Sequence, residues 1–484
     1  MSHAKRYGQF FTPPNVAQTL VRWAVRHPRD RILDPSCGDG EFLACRSHAV
    51  GIELDAVHAA DARRRAPSAL VHEADFFVWA ASTHERFEAA VGNPPFIRYQ
   101  GFTGAVRDRA LAVAARIGAR IPRLTSSWAP FIASTVSLLK PGGRLAFVVP
   151  AEIGHASYSI PFLRALCDHF DCVRVVAVRE KIFPELSEDT WLLYASGRGG
   201  KTSAIEFSML DRFAPSATPP DPICAVSLTA WERAHGHLRR WLLPAKVLSV
   251  YETLKNNELT YRLGEAATVG IGYVTGANDF FHLRPSLAKA LRIPRSFLQI
   301  AVRRGDSLPP TPVLTREHVR QWIKADEPVL LLDLAGRDEM PEGVSHYLQC
   351  REGASARQSY KCRVREPWFA VPDVKIPDGF LTYMSGERVG LVRNAARCVA
   401  TNSVHVVSLK NGQSFNEIQT AWSHPLVALS CELEGHPLGG GMLKVEPREA
   451  QRILLPRPSF RSNRSLESVL HSGIETMRRW RHYA

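Results

Sequence analysis

Four short stretches carry side chains suited to chemistry: DPSCGDGEF (34–42), GIELD (51–55), ADFF (74–77) and GNPPF (92–96). Asp34 closes an apolar run and opens a turn in which Gly38 and Gly40 let backbone approach a ligand that a Cβ would exclude. The turn is neither a Gly-x-Gly-x-x-Gly nor a Gly-Lys-Ser/Thr phosphate loop, and Asp39 within it would repel a pyrophosphate. Glu53, 19 residues after Asp34, closes the second run, where a carboxylate can accept both hydroxyls of a ribose. Asp75 closes the third, suited to an adenine amino group, with Phe76 behind it to cover the base. A ribose, an adenine and no phosphate requirement point to S-adenosylmethionine. Asn93-Pro94-Pro95-Phe96 closes a fourth run; neither proline can donate a backbone hydrogen bond, so this segment is a strand-ending turn.

Four turns so far apart in sequence meet only if a sheet aligns them. Strands are predicted at 31–35, 48–54, 69–77 and 86–96, with helices over about 40–48 and 55–66. An amphipathic helix, a Pro-Gly-Gly turn and a fifth strand fill 127–150, and 171–178 and 190–196 read as later strands. This alternation predicts a mostly parallel α/β sheet with helices on both faces and ligands at the carboxyl ends of its strands. The Gly-, Pro- and Ser-rich stretch at 198–225 reads as a boundary, which sets domains at 1–225 and 240–484, the second α+β without a simple repeat.

Composition narrows the partners. The chain of 484 residues has a net charge of +14, with 29 basic and 23 acidic residues in 1–240 and 32 and 24 in 241–484. This balance favours polyanions, because each phosphate neutralised releases counterions. Nine cysteines never spaced Cys-x-x-Cys argue against a zinc site and a disulfide framework, and no metal is expected. No run of about 18 apolar residues occurs, and the N-terminus lacks the apolar core of a signal peptide, so no membrane contact and a cytoplasmic location are expected.

DPSCGDGEF, GIELD, ADFF and GNPPF resemble, in order, four motifs of the class I (Rossmann-like) methyltransferases that modify exocyclic amino groups. GQFFTPPNVAQTLV (8–21) is similar to the motif that places Phe-Thr-Pro before the first strand. That order, followed by a large trailing domain, resembles the gamma-class, TaqI-type adenine-N6 DNA methyltransferases. The likeness is strong over about 6–196 and thinner beyond, at VGIGYVTGANDFF, REPWFAVP and LGGGMLKVEP. It implies a mixed sheet and a second, DNA-recognition domain.

It also implies roles. Phe11, Thr12 and Pro13 would contact the methionine end of the cofactor; Asp34, Pro35, Gly38 and Gly40 would form the turn around it; Glu53, Asp75 and Phe76 would hold the nucleoside. The Asn93 side-chain oxygen and the Pro94 carbonyl would accept the hydrogens of an adenine amino group, Pro95 would fix their direction, and Phe96 would stack on a base flipped out of duplex DNA. Phe183, in KIFPELSEDTWLLY, lies where the family places a second stacking aromatic. Arg303, Arg304, Arg363 and Arg365 are candidates for DNA contact.

Asn93 favours adenine over cytosine-N4, and no Pro-Cys dipeptide exists for carbon-5 chemistry. Asp373-Val374-Lys375 fits half a nuclease motif but lacks its upstream partner, so cleavage is expected from a separate restriction endonuclease and the chain is expected to act as a monomer. The rival enzyme, an Asn-Pro-Pro methyltransferase acting on RNA or a protein glutamine, usually carries its extra domain before the sheet. A non-catalytic DNA-binding subunit would not be expected to keep Asp34, Glu53, Asp75, Asn93 and Phe96 together. Modification subunits of multisubunit systems usually have a helical domain first, and only seven residues precede Gly8.

Overall fold

The computed structural model describes residues 11–186 and 188–483, so Gly8, Gln9 and Phe10 of the leading motif lie outside the described residues. The chain divides into two compact units, Met1–Leu242 and Leu243–Ala484.

The first unit is built on a nine-stranded sheet. Its strands are β1 (Ile32–Asp34), β2 (Ala49–Glu53), β3 (Leu70–Glu73), β4 (Phe87–Gly92), β5 (Leu139–Pro150), β6 (Phe170–Val178), β7 (Thr190–Arg198), β8 (Ala204–Leu210) and β9 (Cys224–Ser227). Their order is β3-β2-β1-β4-β5-β7-β6-β8-β9. The first five are mutually parallel, whereas β7 runs antiparallel to both β5 and β6, which makes the sheet mixed. β1 lies between β2 and β4, so the chain reverses its winding direction there and the carboxyl ends on either side form a crevice. β1 and β2 are buried throughout, which explains why each reads as an unbroken apolar run before its terminal carboxylate.

Helix α1 (Pro14–Ala24) starts on a proline, whose missing N–H costs nothing in the first turn, and buries Val16, Ala17, Leu20, Val21 and Ala24. The next helices are α2 (Glu41–Ala44), α3 (Ala56–Arg65) and α4 (Phe76–Ser82). Asp55 caps α3, and Asp75 caps α4 by accepting from the N–H groups of Phe77 (2.8 Å) and Val78 (3.1 Å). The third strand therefore stops at Glu73, not at the expected 77, because Asp75 starts a helix instead of ending a strand. β4 stops at Gly92, ahead of the two prolines that cannot extend its ladder. After it come α5 (Gly104–Ala115), α6 (Trp128–Val136) and α7 (Ser159–Cys167).

The expected first-domain limit at 225 falls inside β9. That strand pairs antiparallel with β8, Ala204 opposite Ser227, so strand pairing rather than Gly/Pro composition sets the boundary, and the unit continues to Leu242. The second unit mixes small sheets of five, four, three and two strands with helices, the longest being Arg464–Trp480. Separate apolar clusters form around Leu263 and Val407, Phe281 and Leu331, and Leu314 and Phe380.

Candidate active site

The turns after β1, β2, β3 and β4 border one cleft of about 170 Å³, roughly ten times what a single water needs. Of the residues singled out in the sequence, Phe11, Pro35, Gly38, Glu53, Asp75, Phe76, Asn93 and Pro95 line it. Thr12, Asp34, Gly40 and Pro94 are buried and Pro13 is half-buried, and none of the five lies on the cleft wall. Gly38 (φ +51°) and Gly40 (φ +87°) both take left-handed backbone, and a Cβ on Gly40 would stand 2.9 Å from the Cα of Ala62. Two glycines are thus required to turn the chain from β1 into α2 beneath α3.

The carboxylates differ in how they are held. Glu53 accepts from the Gly38 N–H (2.9 Å) through one oxygen and from the Asp55 N–H (2.8 Å) through the other, which pins its carboxylate at the cleft wall with lone pairs left over. Asp34 is 1% exposed. One of its oxygens accepts from the Ser36 N–H at 3.1 Å, and the other is buried without a hydrogen-bond partner. Burial pushes its carboxyl up to about 8; the Ser36 N–H opposes the shift, and the neighbouring Glu53 and Asp39 add to it. Asp39 is not a bare charge, because Arg65 pairs with it at 2.7 Å and with Glu41 at 2.6 Å. The Ser36 hydroxyl is likewise buried and unpartnered. Buried polar atoms usually find partners, so Asp34 and Ser36 suit a ligand bearing hydrogen-bond donors, such as a cationic amine.

The Asn-Pro-Pro-Phe turn is held from outside itself. Ser127 donates its hydroxyl to the Pro95 carbonyl and accepts from the Ile97 N–H (3.0 Å), while its own N–H donates to the Ile97 carbonyl (2.9 Å). Ser127, on the threshold of α6, lines the cleft beside Asn93. Phe96 is half-buried and packs against the core of the sheet. Phe183 does not reach the cleft: it is 1% exposed and part of that same core, so its ring is packed, not presented.

Several cleft residues carried no sequence signal. Phe131 stacks on Phe76 (centroids 5.3 Å apart, planes 13° apart) and meets Phe77 edge-on at 4.6 Å. It lies on α6, whose apolar pattern reads as ordinary core. His58 meets Phe11 edge-on at 5.7 Å, and Phe102 and Val106 line the far side. Only His58, five residues after Glu53 and near the start of a helix, could have been suspected.

The four arginines of the second unit separate into two kinds. Arg303 pairs with Asp279 at 2.9 Å, and Arg365 donates to the carbonyls of Thr275 (2.7 Å) and Val274. Arg304 and Arg363 are exposed, with no carboxylate partner among the described residues.

Residues 236–479 match the C-terminal domain of the Type II methyltransferase M.Eco57I, and residues 1–64 match the N-6 DNA Methylase family. Type II methyltransferase M.AccI of Acinetobacter calcoaceticus is 19% identical over 479 residues, covering 94% of this chain and 86% of the relative. M.XamI of Xanthomonas campestris pv. amaranthicola is 23% identical over 478 residues with the same coverage. M.TthHB8I of Thermus thermophilus is 32% identical over 158 residues, 30% of this chain and 35% of the relative. Among solved structures, the DrdV–DNA complex shares the fold at a TM-score of 0.52 and 11% identity; the match covers 98% of this chain and 57% of that one. The fold is that of a class I methyltransferase, with the Asn-Pro-Pro-Phe turn at the edge of its cleft. The chain belongs to the Type II DNA methyltransferases that carry the M.Eco57I C-terminal domain, and it methylates adenine at N6.

Proposed function

We propose that the chain takes the methyl group from S-adenosylmethionine and transfers it to an adenine flipped out of duplex DNA. The observation that carries this reading is the meeting of Glu53, Asp75, Phe76, Asn93 and Pro95 on one cleft. S-adenosylmethionine supplies a methyl group on a sulfonium sulfur. Glu53 accepts from the ribose hydroxyls, and Asp75 takes the adenine amino group of the cofactor while Phe76, backed by Phe131, packs against its ring. Phe11, Asp34 and Ser36 face the methionine end, where Asp34 gains a donor for its unpartnered oxygen.

The amino group of the target base is a poor nucleophile, because its lone pair is delocalised into the ring. Asn93 and the Pro94 carbonyl accept its two hydrogens and favour a tetrahedral nitrogen that attacks the methyl in line. Ser127 keeps that turn fixed, so no reorganisation is needed at the moment of reaction. Holding the reactants in this geometry supplies roughly 7–11 kcal/mol of the barrier. The methylated amine then loses its extra proton to water, so no strong base is required. Phe96 stacks on the flipped base; Phe183 joins it only if its loop moves the ring out of the core.

The second unit reads sequence with Arg304 and Arg363 exposed for DNA, while Arg303 and Arg365 shape its loops. The chain acts in the cytoplasm as a monomeric partner of a separate endonuclease in a restriction-modification system. No helix among the described residues is long and apolar enough to cross a membrane.

Incubation with labelled S-adenosylmethionine and mixed-sequence duplex DNA, followed by nucleoside analysis, tests the reading. N6-methyladenine in a fixed sequence context is expected; label found only in RNA or protein would overturn it. With 2-aminopurine at the target, Phe183→Ala changes the fluorescence of the bound duplex if that ring stacks, and leaves it as in wild type if the ring stays in the core.

A further inference from the structure

The first unit is nearly neutral outside one segment. Residues 1–240 hold 29 basic and 23 acidic side chains, and six of the basic ones but only one acidic fall in 98–127. The remainder is therefore 23 basic against 22 acidic, so these 30 residues carry five of the unit's six net charges. All six basic residues are arginines: Arg98, Arg107, Arg109, Arg116, Arg120 and Arg123.

Geometry sorts them. Arg98 pairs with Glu188, and Arg107 donates to the Phe102 carbonyl. Arg123 folds back onto Asp108 at 2.8 Å, which neutralises the one acid on α5. Arg109, Arg116 and Arg120 are exposed, and none has a carboxylate partner among the described residues. Helix α5 and the turn after it bury Ala110, Val113, Ala114 and Ile117, leaving Arg109 and Arg116 on the outer face. Seven residues apart on a helix, they stand about 10 Å apart along it. Arg116 also complements the helix C-terminus, but Arg109 and Arg120 have no such local role. The segment is continuous with the cleft, since Ile97, Phe102 and Val106 line it together with Asn93.

We propose that Arg109, Arg116 and Arg120 form a DNA-backbone contact surface on the catalytic unit, holding phosphates beside the base delivered to the cleft. This inference rests on the DNA-methyltransferase reading. Exposed guanidinium groups free of acids, on a segment that also lines the reaction cleft through Phe102 and Val106, fit a phosphate backbone, which is bound without regard to sequence. Binding of this kind registers as counterion release.

The test is binding of a mixed-sequence duplex, read by fluorescence anisotropy at a series of salt concentrations. The triple variant Arg109→Gln/Arg116→Gln/Arg120→Gln is expected to reduce the log–log salt slope by about 2–3, near 0.9 for each phosphate no longer neutralised. The corresponding triple Lys variant is expected to keep the wild-type slope, and S-adenosylmethionine binding measured calorimetrically is expected to stay unchanged in both. Single Arg109→Gln and Arg116→Gln variants, at exposed positions, each lower the slope by about 0.9 if they fold as wild type does. A wild-type slope in the single and triple Gln variants overturns the inference while leaving the enzyme reading intact. Absence of salt-dependent duplex binding by the wild type itself overturns the reading on which the inference stands.

Discussion

The residues around the cleft and the arginines of the second unit were singled out by the same kind of reading, and the structure treated them differently. Eight cleft candidates line a single cavity, whereas two of the four arginines are spent inside their own unit on Asp279 and on the carbonyls of Val274 and Thr275. The difference lies in what fixes each position. A parallel sheet sends every strand end to the same edge, so a carboxylate after an apolar run has a known place before any contact is known. An arginine in a loop has no such constraint; its long side chain finds whichever acceptor the fold offers.

The sharpest way to break this comparison is Asn93→Ala. If the turn is catalytic, turnover falls roughly 10²–10³-fold, the cost of removing one well-placed polar group, while S-adenosylmethionine affinity by calorimetry changes little. Equal loss of both would make Asn93 a structural residue, like Arg365.

Asp34→Asn gives the next largest effect. The folded-state carboxyl keeps its proton up to about pH 8 from an ordinary value of 3.8, so its protonated form favours the fold. This contribution is complete below pH 3.8 and is lost as pH climbs towards 8. The Asn variant carries no charge at any pH. Without cofactor it should melt higher than wild type at alkaline pH by about 2–4 °C for each kcal/mol of strain relieved, and should bind S-adenosylmethionine more weakly. A melting temperature that tracks wild type across the whole pH range would contradict the burial argument.

The arginines supply the smallest effects and the finest test. Arg365→Ala strips donors from two carbonyls and should cost about 1.5–3 kcal/mol of stability in denaturant unfolding. Arg363→Gln, at an exposed site, should stay within about 0.5 kcal/mol of wild type yet weaken DNA binding. The reverse pattern would mean that exposure misassigned them.

The sheet was largely legible in the sequence because its buried strands read as unbroken apolar runs, and the prolines of the Asn-Pro-Pro-Phe turn marked where β4 had to stop. Asp75 borders the cleft from a helix cap and not from a strand end: both put an aspartate after an apolar run, and only the N–H groups of Phe77 and Val78 distinguish them. β8 and β9 were hidden by the glycines and prolines around them. Phe131 and Ser127 were invisible for a different reason. Each acts on a turn more than 30 residues away in sequence, through ring stacking or hydrogen bonds that no local pattern encodes.

Ser127 and Ile97 are joined by two hydrogen bonds, so the 29 residues between them start and end at a single stapled point. Doubling the length of that segment would cost only about 0.6 kcal/mol of closure entropy. Its Phe102 and Val106 return to line the cleft beside Asn93, so a change in its exposed length leaves the anchor in place, whereas a change at those two residues reshapes the cleft itself.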